Sequence, residues 1–193
     1  QMQLEHYKTK PDPPVDKMHV LTGLDVLLDK KMDLIQGKSV ALVTNHTGID
    51  KLGMPNYKHL VYMKDVDLKV IFSPEHGLFG EAGAGEKVSY TEKDSGLPKV
   101  ISLYGSMRKP TAEMLSGINL IIYDIQDIGT RFYTYITTLG LVMEVAGELD
   151  IPVLVLDRPN PIRGDIVEGP TLDLDYKTFV GHYPISIRYG GTV

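Results

Sequence analysis

No cysteine occurs among the 193 residues, which excludes disulfides, thiolate metal sites and cysteine nucleophiles together. That absence selects no compartment, since exported and internal proteins both do without thiols. No apolar run approaches the roughly 18 residues that a membrane-spanning helix needs. Positive charge is in short supply: the formal net charge is −5, and the densest basic cluster, around Lys8 and Lys10, is sparse. A nucleic-acid partner needs a basic face, so the charge argues against one. The dinucleotide fingerprint Gly-x-Gly-x-x-Gly is missing where the first strand turns, at Thr44-Asn-His-Thr-Gly48. No Gly-x-Ser-x-Gly elbow occurs, which argues against a serine hydrolase. The glycine-rich run from Gly80 to Gly85 lacks the lysine-serine ending of a phosphate loop and reads as a flap beside Glu75.

What remains is the composition of a soluble globular chain, 42% hydrophobic and 23% charged, long enough for one well-buried domain. Residues 1–20 are polar and proline-bearing and read as an extended arm. Residues 21–160 alternate short apolar runs with longer amphipathic ones. The runs Lys38–Thr44, Val66–Phe72, Val100–Leu103, Ile118–Tyr123 and Ile151–Leu156 are expected strands. Helices are expected over Gly23–Lys31, Asn56–Asp65, Thr111–Leu115 and Arg131–Leu149, the last with Ile136, Leu139, Val142, Met143 and Ala146 on one face. Strands that are apolar throughout imply burial on both faces. The expected fold is α/β, a Rossmann-like parallel sheet with helices on both faces. Residues 161–193 are rich in Gly and Pro, with weak strand signals at Phe179-Val180 and Ile185–Arg188, and read as an excursion or the approach to another domain.

Four of the five expected strands run directly into polar groups: Asn45-His46, Glu75-His76, Asp124 with Gln126 and Asp127, and Asp157-Arg158 with Asn160. In an open parallel sheet, ligands sit beyond the carboxyl ends of the strands, where strand order reverses. These clusters therefore form a candidate site. Glu75 is the candidate acid, because a carboxyl beside an apolar strand end can have its pKa raised toward that of a useful proton donor. Each cluster also has a plain structural alternative. Asn45 and Thr47 can cap a turn, and Asp127 can cap the following helix. Arg131 can pair with Asp124, and Arg158 with Asp157. Tyr133 and Tyr135 either stack on a sugar ring or pack. No ligand spacing supports a zinc site built on His46, His76 and an aspartate, so neither metal nor cofactor is expected.

The strings Thr44-Asn-His-Thr-Gly48, Phe72-Ser-Pro-Glu-His-Gly-Leu78, Ser102-Leu-Tyr-Gly105, Asp124-Ile-Gln-Asp-Ile-Gly-Thr-Arg-Phe-Tyr-Thr-Tyr135 and Leu156-Asp-Arg-Pro-Asn-Pro161 go further. With Val167-Glu-Gly-Pro170 and Phe179-Val-Gly181, they resemble, in order, the exo-β-N-acetylmuramidase family long catalogued as domain of unknown function 1343. The resemblance covers the chain from about Gly23 onward. It implies a Rossmann-like N-terminal domain of a glycoside hydrolase that releases N-acetylmuramic acid from the non-reducing end of peptidoglycan fragments. It also implies a cleft completed by a C-terminal domain or second chain, and work in the cell envelope, periplasmic or secreted. Where the family continues Met-Thr into a helix, this chain has Gly191-Thr192-Val193, so it is expected to supply one wall of the cleft.

Glycosidic cleavage ordinarily uses two carboxyls. On this resemblance Glu75 is the acid, and Asp124 or Asp127 its partner. Asn45, His46, His76, Gln126, Arg131, Tyr133, Asp157, Arg158 and Asn160 are expected to hold substrate, with Arg131 or Arg158 on the lactyl carboxylate. The alternative is a muropeptide-binding module that does not itself catalyse.

Overall fold

A computed structural model describes residues 20–80 and 96–193 of the chain. The expected N-terminal arm, apart from Val20, and the expected flap beyond Gly80 lie outside the described residues. The elements run α1 (Gly23–Lys30), a 3-10 turn (Met32–Leu34), β1 (Lys38–Thr44), α2 (Asn56–Tyr62), β2 (Val66–Ser73), β3 (Lys99–Ser102), β4 (Leu120–Asp124), α3 (Tyr135–Glu148) and β5 (Val153–Val155). A second 3-10 turn covers Leu174–Tyr176. The strands form one sheet in the order β3-β2-β1-β4-β5, and every pairing is parallel. The α/β expectation holds.

Each apolar strand conceals a period of two, because its two faces meet different partners. Val40 and Leu42 of β1 face Leu24 and Leu27 of α1 and Tyr57 and Leu60 of α2. Ala41 and Val43 face the other way, toward Leu139, Val142, Val145 and Ala146 of α3. Strand β4 splits likewise, Leu120 and Ile122 to the first layer, Ile121 and Tyr123 to the second. Each fully buried aliphatic side chain contributes about 1.5–3 kcal/mol, so the two layers supply most of the drive to fold. Helix α1 starts cleanly because Thr22 and Asp25 form a capping box: the Thr22 Oγ1 accepts from the Asp25 N–H, and the Asp25 carboxylate accepts from the Thr22 N–H. The first helical residue must be glycine, since an added Cβ would fall 2.4 Å from the Asp157 nitrogen on the chain leaving β5.

Three expectations are corrected by local hydrogen bonding. The segment Thr111–Leu115 makes a turn and no regular helix: Leu115 N–H donates to the Thr111 carbonyl, and Gly117, at φ 76°, reverses the chain before a second turn can form. Helix α3 begins at Tyr135, not at Arg131, because the Arg131 N–H is held by the Ile187 carbonyl at 2.7 Å. The strand signals at Phe179-Val180 and Ile185–Arg188 yield only single bridges, Thr178 with Gly181, and Arg188 with Thr130 and Glu168. Within residues 161–193, His182 and Tyr183 lie against α3. Tyr183 presses so closely on Gly140 that a Cβ there would sit 1.8 Å from its hydroxyl oxygen.

Candidate functional site

From β1 the chain crosses to β2 and β3 on one side, then returns to β4 on the other, so strand order reverses between β1 and β4. Register brings Thr44 beside Asp124 at that point. The polar ends of β1, β2, β4 and β5 do share one edge, but they divide into groups with different degrees of commitment.

At the centre, Asp124 is wholly buried and both its carboxylate oxygens are engaged. Arg158 Nε donates to Oδ1 at 2.7 Å, while Arg158 Nη2 at 3.2 Å and Asn56 Nδ2 at 2.7 Å donate to Oδ2. The second Arg158 amino group also donates to the Ile49 carbonyl, and Asn56 Nδ2 reaches the Thr44 hydroxyl. Burial raises the Asp124 pKa, with Arg158 and Asn56 pulling against it. The expected pairings are thus corrected: Arg158 serves Asp124, and Asp157 instead accepts from the Arg158 backbone N–H and the Thr192 hydroxyl. Arg131 does not approach Asp124. Its guanidinium donates to the Pro170 and Ile185 carbonyls, pinning the returning segment.

A second group clamps the same segment. Asp127 Oδ1 accepts from Gly129 N–H and from the Tyr189 hydroxyl, whereas its Oδ2 is buried without a hydrogen bond. Burial raises its pKa, against those two donors and the Ile128 N–H. Gln126 donates to the Asp127 and Pro159 carbonyls, and Asn160 bridges the Ile162 N–H and the Gly191 carbonyl.

The third group is the open one. Pro74 to Gly77 form a turn closed by Gly77 N–H on the Pro74 carbonyl. His76 adopts φ 70° in that turn, a left-handed conformation that glycine tolerates better and that costs on the order of 1–3 kcal/mol. The turn presents Glu75, half-buried, whose Oε2 accepts from the Thr134 hydroxyl at 3.1 Å. Thr134 stands at the start of α3, so the helix aims its first residues at the carboxylate. Next to it, burial raises the Tyr135 pKa, and the proximity of Tyr133 and Glu75 reinforces the shift. The Tyr133 and Tyr135 rings meet edge to face at 4.8 Å. Asn45 is 1% exposed, and its Oδ1 accepts from the Thr47 N–H at 2.9 Å and hydroxyl at 2.6 Å. Its amide is therefore oriented, with Nδ2 lacking any well-formed acceptor and Tyr135 as its polar neighbour. Exposed His46 lies against Gly80, where a Cβ would meet its ring at 2.4 Å.

Thus Glu75, His76, His46 and Tyr133 are at least partly exposed, while Asn45 is buried with its Nδ2 next to Tyr135. Asp124, Arg158, Gln126, Arg131, Asp157 and Asn160 each have side-chain polar atoms engaged by the fold, Arg131 through Nη1 alone. Sequence reasoning missed Thr134, Asn56 and Tyr189. Only Thr134 had a signal, its place between Tyr133 and Tyr135. Among the described residues, no group of three or more His, Asp or Glu is arranged to hold a metal ion.

Residues 40–193 match the family model described as exo-beta-N-acetylmuramidase NamZ, N-terminal. The peptidoglycan beta-N-acetylmuramidase NamZ of Bacillus subtilis (strain 168) is 46% identical over 178 residues, which is 92% of this chain and 43% of that protein. Two crystal structures of DUF1343 family proteins from Bacteroides fragilis NCTC 9343 share the fold. One has a TM-score of 0.81 at 41% identity, covering 89% of this chain and 43% of its own. The other has a TM-score of 0.72 at 34% identity, covering 89% and 44%. The chain spans less than half the length of these relatives.

Proposed function

Because the chain belongs to the exo-β-N-acetylmuramidase NamZ family, whose N-terminal model it matches, we propose that it carries the proton-donating wall of a glycoside hydrolase site. The substrate is a peptidoglycan fragment with N-acetylmuramic acid at its non-reducing end, and the place of action is the cell envelope, where such fragments arise. The observation that carries this reading is the half-buried Glu75 on a strained turn, whose carboxylate takes, among the described residues, one side-chain bond from Thr134.

Glu75 protonates the departing glycosidic oxygen as the bond to the anomeric carbon breaks. Asn45 Nδ2 has its direction set by Thr47 and offers a donor to a sugar hydroxyl or the N-acetyl carbonyl. An unsatisfied buried donor is costly, so a ligand that accepts from it binds better for doing so. His46, next to Asn45 in the chain, and His76, next to Glu75, add polar groups for the sugar, and Tyr133 presents an aromatic surface to its ring. Of the two aspartates considered as partner carboxyls, Asp127 retains an unbonded oxygen while Asp124 has none, so Asp127 is the better placed. Asp124, Arg158, Gln126, Arg131, Asp157 and Asn160 hold the edge in shape around the reacting group.

The test is release of a chromogenic aglycone from an N-acetylmuramic acid glycoside, by this chain and by a version extended to the length of its relatives. Glu75→Gln lowers the rate of the active form by about 10²–10⁴-fold, the range for a lost general acid. Unchanged turnover in that variant rules out the assignment. Sugar binding by both forms, with hydrolysis by neither, points instead to a non-catalytic binding wall.

A further inference from the structure

On the flank of α3 a cavity of about 530 Å³ opens between the loop after β3 and residues 177–182. Its ionisable lining is entirely basic: Arg108, Lys109, Lys177 and His182, with Leu141 and Phe179 as apolar walls. The Arg108 guanidinium lies 4.6 Å over the Phe179 ring, which in turn makes a tilted contact with Tyr104 at 6.4 Å. Stacking of this kind fixes the plane of the guanidinium and leaves its N–H edge directed outward. Glu144, half-exposed, lies 3.8 Å from His182.

The chain has five arginines, and four are committed. Arg131 holds two carbonyls, Arg158 holds Asp124, Arg163 pairs with Asp165 and Arg188 with Glu168. Arg108 forms no hydrogen bond or ion pair among the described residues, and neither Lys109 nor Lys177 forms an ion pair. Three positive charges therefore converge on one cavity whose described lining holds no carboxylate. Leu141 follows Thr134 by seven residues, about 10 Å along the helix from the hydroxyl that binds Glu75.

We propose that this cleft receives a carboxylate of the saccharide ligand, with Arg108 as the forked donor and Lys109 and Lys177 as flanking charges. The proposal rests on the glycosidase reading, and it moves the lactyl-carboxylate role from Arg131 and Arg158 to residues that are free to perform it. N-acetylmuramic acid differs from N-acetylglucosamine by a lactyl ether bearing one carboxylate, so the cleft would discriminate between the two. In a muropeptide that carboxyl is amide-linked, and a peptide carboxylate supplies the same chemistry.

Calorimetric titration of the chain with N-acetylmuramic acid, N-acetylglucosamine and muramyl dipeptide tests this. Arg108→Gln/Lys177→Gln weakens binding of at least one carboxylate-bearing ligand tenfold or more and leaves N-acetylglucosamine unchanged. Arg108→Lys retains part of the affinity, and added salt narrows the difference between native and variant. Loss confined to N-acetylmuramic acid identifies the lactyl carboxylate as the group held. Loss confined to the dipeptide identifies the peptide carboxylates. Equal affinity of the native chain for the acidic and neutral sugars, with the dipeptide unaffected by the variant, overturns the cleft and leaves Glu75 untouched. Uniform loss for all three ligands, or a fallen melting temperature, makes Arg108 structural and also overturns it. So does failure of the native chain to bind any of the three.

Discussion

Asp124 and Glu75 both follow apolar strands of one parallel sheet, and both are carboxylates near the carboxyl edge. Asp124 ends β4, a central strand at the reversal of strand order, with neighbours on both sides and helices above and below. It is enclosed and answered by three side-chain hydrogen bonds from two residues. Glu75 sits two residues beyond the end of β2, on a turn that carries it out of the sheet, and has one such bond among the described residues. The difference shows how one parallel sheet creates two environments for a carboxylate. A carboxylate kept in register with its neighbours is desolvated and must be neutralised by the protein, whereas one carried past the strand end stays available to a ligand.

Breaking the buried side of this comparison has the largest consequence. Arg158→Ala leaves Asp124 charged and enclosed without its main partner, and urea denaturation is expected to show a loss of about 3–5 kcal/mol. Asn56→Ala removes one donor to Asp124 and the link to Thr44, with an expected loss of about 1–3 kcal/mol in the same measurement.

Asp127 lies between the two extremes, half answered, and its titration sharpens the contrast. Burial lifts its pKa above the ordinary 3.8, so the fold holds the proton more tightly than the unfolded chain does. Its stabilising contribution is complete below pH 3.8 and disappears as pH rises through the elevated folded value. Asp127→Asn removes that dependence. The melting temperature of the native chain, relative to this variant, should therefore decline as pH increases across that interval. Asp124 shifts in the same direction but is common to both proteins and cancels in the difference.

The smallest effect belongs to Glu75. Glu75→Gln keeps an acceptor for Thr134 and should change stability by no more than about 0.5 kcal/mol, even as activity collapses. A stability loss matching that of Arg158→Ala would erase the distinction between the two regions.

The sheet was legible in the letters because strands buried on both faces must be apolar at every position, and that pattern is local. Lys38–Thr44 appears in the structure with the expected bounds. The run Ile151–Leu156 shortens to Val153–Val155, since at the edge of the sheet only one neighbour defines the ladder. Helix α3 was legible from its apolar face but not its start, because the bond that unwinds Arg131 comes from Ile187, far along the chain. The pairing of Arg158 with Asp124 was equally hidden. Adjacent letters suggested Asp157, and only the side-by-side placement of β4 and β5 brings Asp124 within reach.

By itself, then, the sequence determined that this chain is an α/β protein whose polar groups gather beyond its strand ends. It also carried a family resemblance in strings that lie at those ends. Residue type and spacing suffice for these, since hydrophobic periodicity and turn chemistry act over a few residues. Only the tertiary structure decided which polar groups are committed and which remain available. Commitment depends on burial and on partners brought from distant parts of the chain, as Arg158 is to Asp124 and Thr134 to Glu75.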